Sequence, residues 1–377
     1  MAGQARFAVR WLRTAALTAP VLALLAGCGP SATATPTATH TPQATATPSP
    51  TAQRKPTTAA GSPAAELVPR VSLPRDEASH TSLWEWWYFN GHLESEDGNR
   101  YAYHFVFFEV SIEGLDTYVL VGHAAVTDEE DGSFEFAQRL GSRATAPGEG
   151  LEVDVGGWRM SGSGGDFRLS AATGELGFEL ELEAVKPAAL HGGDGFVEYG
   201  DAGGSYYYSY PRIMTAGTVL DRGVEKRVNG TSWMDHQWGD AVLGEVEWDW
   251  FSLQLDDGTE VMYYQLRDLD GETLQEFGSA IDADGIVTPL GPEDVEVRAM
   301  GTWESAASGG VYPQGWSVDI SKNVSLILAP VTEDAEFHVS GSVLPIYWEG
   351  EVLVTGQGEN GPISGYGFVE LVGYASP

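Results

Sequence analysis

The property that most limits what this chain can become is a period of two. From Leu67 onward, short runs of aromatic and β-branched residues alternate with polar ones, punctuated by Gly, Asp-Gly and Asn-Gly. In Phe178-Glu179-Leu180-Glu181-Leu182-Glu183 every second side chain is apolar, which gives a strand one dry and one wet face. Such runs are Tyr101 to Val110, Tyr118 to Val126, Phe178 to Val185, Glu260 to Leu266, Val324 to Ala329, Gly350 to Thr355 and Gly367 to Val372, and many of them alternate apolar and polar residues. No window of this body carries a capped helical stripe. About 310 residues of such material exceed one small barrel, so an all-β chain with two consecutive antiparallel β-barrels is expected.

The two halves repeat one another. Trp84-Glu85-Trp86-Trp87, then Asp97-Gly98, then an aromatic strand from Tyr101 matches Trp248-Asp249-Trp250-Phe251, then Asp257-Gly258, then a strand from Val261. Each half sets an acid between two Trp, turns at Asp-Gly and returns on an amphipathic strand. The expected boundary falls near Asp240, giving domains 66–240 and 241–377.

What precedes the body is an address. Arg6, Arg10 and Arg13 lead into an apolar run from Ala15 to Leu25, which is too short to span a bilayer. The run ends in Leu25-Ala26-Gly27-Cys28, and Cys28 is the only Cys among 377 residues. This resembles a bacterial lipoprotein signal, residues 1–27, whose processing leaves Cys28 as the lipid-bearing first residue. Residues 28–65 follow as a linker, with ten Thr, ten Ala and seven Pro between 30 and 65, a composition that cannot bury enough surface to fold. Its reach lies between about 33 Å as a coil and about 115 Å as polyproline II. The expected location is the extracytoplasmic side of a bacterial membrane, with the membrane itself as a partner through the anchor.

Charge and cysteine usage exclude several classes. Fifty-four acids against 20 bases give −34, and loss of three signal arginines makes −37. Such a surface gains nothing from a polyanion, so nucleic acid is not expected as a partner. One Cys makes no disulfide, thiolate zinc site or iron–sulfur cluster, and no cofactor is expected. Gly356-Gln357-Gly358-Glu359-Asn360-Gly361 has dinucleotide-loop spacing but lies between strands and is followed by Pro362, so it reads as a hairpin turn. Asp268-Leu269-Asp270-Gly271 and Asp282-Ala283-Asp284-Gly285 lack the remaining ligands of a calcium loop and also read as turns, as does Asn229-Gly230-Thr231. No hydrolase or phosphate-loop motif is present.

The densest constellation is Trp233-Met234-Asp235-His236-Gln237-Trp238-Gly239-Asp240, followed by Trp248-Asp249-Trp250-Phe251. Large aromatic areas beside a His and carboxylates imply partial desolvation of groups that can titrate. On a strand Trp233, Asp235 and Gln237 share one face and Met234, His236 and Trp238 the other. Three accounts stand: a core His satisfied by a carboxylate in a seam between barrels, a ligand or catalytic site, and a metal site. The last has no second His nearby in sequence, and no metal is expected. His92, His104, His123 and His191 read as structural. Tyr206-Tyr207-Tyr208-Ser209-Tyr210 reads as an aromatic strand with hydroxyls at a wet edge or as the lining of a pocket mouth.

These segments, with Glu85-Trp86-Trp87-Tyr88, Tyr207 to Arg212, Leu255-Asp256-Asp257-Gly258, Tyr347-Trp348-Glu349-Gly350 and Gly367 to Tyr374, resemble the AttH/CrtC family, which includes the carotenoid 1,2-hydratases. The resemblance implies two lipocalin-like (calycin) barrels. It also implies catalytic roles for His236 and Trp238, matching the family's His-x-Trp, and for Tyr263, matching its Tyr-x-Asp. The acid of that second pair is Gln265 here, and an amide cannot supply a proton. Asp235, Asp249 and Glu85 are the candidate replacements. Two functions follow as expectations. One is a lipid-anchored lipocalin-like binder of a lipid or isoprenoid, with Trp86, Tyr208, Tyr210, Trp233, Trp248, Trp250 and Gln265 as binding residues. The other is a carotenoid-hydratase-like or other acid-catalysed enzyme of polyenes or terpenoids.

Overall fold

The computed structural model describes residues 68–375, apart from 112–116, 145–147, 242–245, 322, 341, 343 and 359. The signal segment, Cys28 and the linker lie outside the described residues. Two antiparallel sheets carry the chain, one of twelve strands from Trp84 to Gly239 and one of ten from Val246 to Val372. In each, the opening strand is central. Trp84–Ser95 pairs with Arg100–Ser111 on one side and with Val224–Gly239 on the other. Val246–Leu255 pairs in the same way with Glu260–Asp268 and Gly361–Val372. The sequence repeat is therefore a repeat of topology, with each sheet's first strand joined to its last.

Each sheet curls into a barrel-like form around its own core. In the first, the end strands Ser133–Ala144 and Leu151–Val155 meet through side chains: a Cβ on Gly141 would lie 2.9 Å from Val155 Cγ1. The alternation seen in the sequence decides which side chains fill that core. Along the opening strand Trp87 and Phe89 point inward, as do Met234 and Trp238 on the last strand. Each such fully buried aromatic contributes about 1.5–3 kcal/mol of apolar transfer. The second barrel is filled in the same way by Phe251, Tyr263, Trp316 and Trp348.

The opposite faces of these strands form a third core between the barrels, holding Tyr88, Tyr207, Trp233, Trp250, Met262 and Phe368. Four histidines of the first barrel reach across this seam. His191 Nδ1 meets Ser279 Oγ at 2.9 Å, His123 Nδ1 meets the Tyr347 hydroxyl at 2.9 Å, His104 Nδ1 lies 3.5 Å from Glu349, and His92 binds Glu351. They are structural in the sense the sequence suggests, and they tie the barrels together.

The turns hold with one exception. Gly98 and Gly258 take positive φ in the two Asp-Gly hairpins, Asp268 and Asp282 accept backbone N–H groups in their own turns, and Gly358 pairs with Gly361 across a hairpin. Asn229-Gly230-Thr231, by contrast, runs through the middle of Val224–Gly239. Glycine is needed there because a Cβ would sit 1.8 Å from the His92 carbonyl oxygen, so the requirement is close strand approach and not a turn.

Candidate functional site at the mouth of the first barrel

Strand parity brings Glu85 and His236 together. Glu85 lies two residues before Trp87 on the opening strand, and His236 lies between Met234 and Trp238 on the last, so both face the interior of the first barrel. His236 Nε2 is 2.7 Å from Glu85 Oε1, and its Nδ1 is 3.1 Å from the Tyr208 hydroxyl. A carboxylate oxygen can only accept, so Nε2 carries the hydrogen and Nδ1 accepts from Tyr208. Trp87 stacks on the imidazole at 5.0 Å.

The segment before the first strand completes the site. Arg75–Glu77 forms a single 3₁₀ turn, and the chain then runs past the barrel mouth. His80 donates its backbone N–H to Glu85 Oε2 at 2.8 Å and its ring Nδ1–H to Oε1 at 2.8 Å. Its ring stacks on Trp238 at 4.0 Å with 2° between planes, and Tyr206 also stacks on Trp238, at 5.1 Å. Glu77 anchors this segment, accepting from the Tyr210 hydroxyl at 2.8 Å and Ser163 Oγ at 2.9 Å. A cleft of about 600 Å³ opens at this point, lined by His80, Tyr206, Trp238 and Phe196, with the exposed Arg70 and Arg75 also bordering it.

The electrostatics follow from burial and these partners. Burial pushes the Glu85 carboxyl up, but the hydrogen bonds from His236 and His80 outweigh it and hold it below the usual carboxylate range. Burial pushes the His236 imidazole down against the pull of Glu85, and it drives the Tyr208 hydroxyl well above its ordinary value. The chain Tyr208, His236, Glu85, His80 is thus an ionised carboxylate between a neutral buried imidazole and one that borders the cleft. His80, Glu85 and His236 place three possible metal-ligand atoms within 4.8 Å of one another. The second His that the sequence lacked is supplied by folding. The two N–H donors already satisfy the shared oxygen.

Most of the residues expected from sequence lie elsewhere. Of the catalytic and ligand-binding residues named, Trp238 alone lines the cleft, with His236, Tyr208 and Tyr210 behind it. Trp86, Trp233, Trp248 and Trp250 belong to the seam. There Trp233 donates to Asp235 at 2.6 Å, Trp248 to Glu370 at 3.0 Å and Trp250 to the Tyr207 hydroxyl at 3.2 Å. Asp235 accepts from Ser209, Tyr207 and Trp233, while burial lifts its carboxyl to about 6.

Tyr263 does not join His236 and Trp238, because it lies within the second barrel. Gln265 shares its face, donates to Glu276 at 2.6 Å and borders a separate cavity of about 280 Å³ with Asp249, Trp316 and Tyr374. The expected His236, Trp238 and Tyr263 constellation is therefore split between two barrels. Tyr206 belongs to the aromatic stretch read from sequence as pocket-mouth lining, and the residues missed are His80, Glu77 and Phe196. The only signal for the first two was charged residues in the non-periodic stretch Arg70 to Ser82, just before a strand.

Comparison with known proteins agrees with this architecture. The AttH-like family model matches residues 64–374. An AttH candidate from Nitrosomonas europaea superposes with a TM-score of 0.74 at 28% identity, covering 83% of this chain and 100% of that one. Kievitone hydratase from Nectria haematococca shares the fold, with a TM-score of 0.68 at 20% identity over 81% of this chain and 93% of that one. In sequence, kievitone hydratase of Fusarium solani subsp. phaseoli is 25% identical over 201 residues, 52% of this chain and 56% of that relative, so the match spans little more than half of its length. With two barrel-like sheets in one order and a family match across nearly the whole described body, the chain belongs to the AttH-like family.

Proposed function

We propose that the protein takes a small hydrophobic molecule bearing an isoprenoid double bond into the cleft of the first barrel and adds or removes water there, in the manner of the hydratase to which it is similar. The observation that carries this is the cleft itself: aromatic faces of Trp238, Tyr206 and Phe196 beside an imidazole backed by an ionised carboxylate. Aromatic walls bury an apolar ligand and stabilise developing positive charge, and a positioned imidazole moves protons near neutral pH. We further propose that Cys28 carries a lipid and that the linker holds this body on the extracytoplasmic face of a membrane, where such molecules partition.

The test is incubation with farnesol, an acyclic carotenoid and a prenylated flavonoid in ¹⁸O-labelled water. A labelled tertiary alcohol, lost in Trp238→Ala, supports hydration. The amide at Gln265 favours a second reading, binding without chemistry. That reading predicts quenching of tryptophan fluorescence by the same molecules with no labelled product. Absence of both binding and product would sink the proposal. Labelling with palmitate, compared between wild type and Cys28→Ser, tests the anchor separately.

A further inference from the structure

The sequence resemblance puts His236 at the centre of the chemistry, but the geometry does not. His236 is fully buried, both ring nitrogens are engaged inside the barrel, and it does not border the cleft. His80 does border it. Its Nδ1 is committed to Glu85 Oε1 at 2.8 Å, and its ring is held flat against Trp238, 2° from parallel. With Nδ1–H fixed by a carboxylate, the opposite nitrogen, Nε2, is the one left to accept a proton. Its nearest charged neighbour is Asp76 Oδ1 at 3.9 Å, already engaged by Arg75.

We propose that His80 is the group that exchanges protons with a molecule in the cleft, and that Glu85, His236 and Tyr208 are positioning residues behind it. This rests on the reading of the cleft as the ligand site. In the hydration direction His80, protonated at Nε2, gives that proton to one carbon of the double bond: the N–H bond breaks, a C–H bond forms with the π electron pair, and the neighbouring carbon is left as a cation. A water in the cleft adds to that cation through an oxygen lone pair and returns a proton to Nε2, so an O–H bond breaks as the N–H bond forms again, and Glu85 stabilises the imidazolium across the Nδ1–H bond. Dehydration runs the same steps in reverse. Glu85 suits this role because its second oxygen is held by the backbone N–H of His80, which fixes carboxylate and imidazole together. His236 holds the other side of Glu85 Oε1 and Tyr208 in turn holds His236, in a dry, fully bonded chain.

The test uses diethyl pyrocarbonate, which acylates unprotonated imidazole nitrogen, with peptide mapping of each histidine in the intact protein. His80 should be modified at least tenfold faster than His236. Glu85→Gln should release the fixed tautomer of His80, so that hydrogen is shared between Nδ1 and Nε2, and Glu85→Asp should restore part of the Nδ1–H form. Nitrogen-15 NMR of the wild-type imidazoles reads the tautomers without any substitution: His80 with hydrogen on Nδ1, His236 with hydrogen on Nε2.

Equal modification of His80 and His236, an unchanged His80 tautomer in Glu85→Gln, or hydrogen on His80 Nε2 alone would overturn the proposal. So would one equivalent of tightly held divalent metal, which would make Glu85 and the two histidines ligands. None of these readouts needs a ligand. Failure of the binding and hydration assays with His80 behaving as stated would therefore remove the proposed function and leave the relay, and the converse result would do the opposite.

Discussion

Glu85 and Asp249 occupy matching positions in the two barrels. Each is the middle of a Trp-acid-Trp triplet on its barrel's opening strand, each faces inward, and each is buried at 1% and 7% exposure. Their partners differ. Glu85 is held by the imidazoles of His236 and His80, whereas Asp249 is held by the Arg267 guanidinium at 2.8 Å and the Tyr374 hydroxyl at 2.9 Å. Burial pushes the Asp249 carboxyl up, and Arg267 opposes it without restoring the ordinary value. A guanidinium keeps its proton at every pH the protein meets, while an imidazole can lose or gain one. One scaffold position thus serves as a fixed ion pair in one barrel and as a proton-handling group in the other.

The sharpest test of that contrast is removal of the guanidinium. Arg267→Ala should destabilise the protein by about 3 kcal/mol or more, because it strands a buried carboxylate, and urea unfolding would measure it. Pairing Arg267→Met with Asp249→Leu should recover most of the loss. In the first barrel, Glu85→Gln should cost only about 1–2 kcal/mol, since the amide leaves neutral imidazoles that can re-bond. Equal losses at the two positions would break the comparison.

The seam extends the contrast to pH, because the first barrel contributes histidines there and the second contributes Glu349, Glu351 and Glu370. Burial lifts Glu370 to about 7 and Asp235 of the first barrel to about 6, and it drives Glu349 well above 4.5. Stability from these acids is fully present below their unfolded values, 4.5 for Glu370 and 3.8 for Asp235, and is lost as pH rises through the folded ones. Burial pushes His104 and His191 down to about 3 and His123 to about 4. Their contribution is full above 6.5 and is lost as pH falls toward those values. The slopes oppose one another through mild acid and neutrality, so the acid contribution is read against a variant that lacks it. Relative to Glu370→Gln, the wild type should lose about 1–2 kcal/mol of stability between roughly pH 6 and 8 in urea unfolding. Parallel pH profiles for the two proteins would contradict the assignment.

The smallest effect is expected on the outer walls. Arg159 and Glu152 of the first barrel are paired at 54% and 58% exposure, and Arg298 and Asp319 of the second at 52% and 42%. Alanine at either arginine should leave the unfolding midpoint unchanged within error, placing the difference between barrels at their mouths.

Why the folding pattern could be read and the site could not is visible in particular residues. Period-two alternation and Asp-Gly turns report directly on strands, so Phe178 to Glu183 and the repeated Trp-acid-Trp triplets identified the sheets and their duplication. Parity also put His236 and Trp238 on one face. Which face looks into a barrel and which into the seam depends on sheet curvature and on packing between sheets. Trp233, Trp248 and Trp250 therefore read locally as ligand walls, and the fold places them in the seam. Tyr263 lies on a strand whose pairing belongs wholly to the second sheet, which no local pattern announces. His80 stands 156 residues from His236 in a stretch with no periodicity at all, and only the closure of the opening strand onto the last brings them together.

The cleft's placement has a practical corollary for anyone trimming the chain. Arg70, Arg75 and His80 all precede Trp84, the first residue of the first strand. A fragment cut at the sheet boundary would keep every strand of both barrels and still lack one wall of the cleft, with Glu85 missing one of its two imidazoles. Such a fragment would report a blank in a screen that depends on the proposed cleft. A synthetic peptide spanning residues 68–83 would be the reagent to restore it.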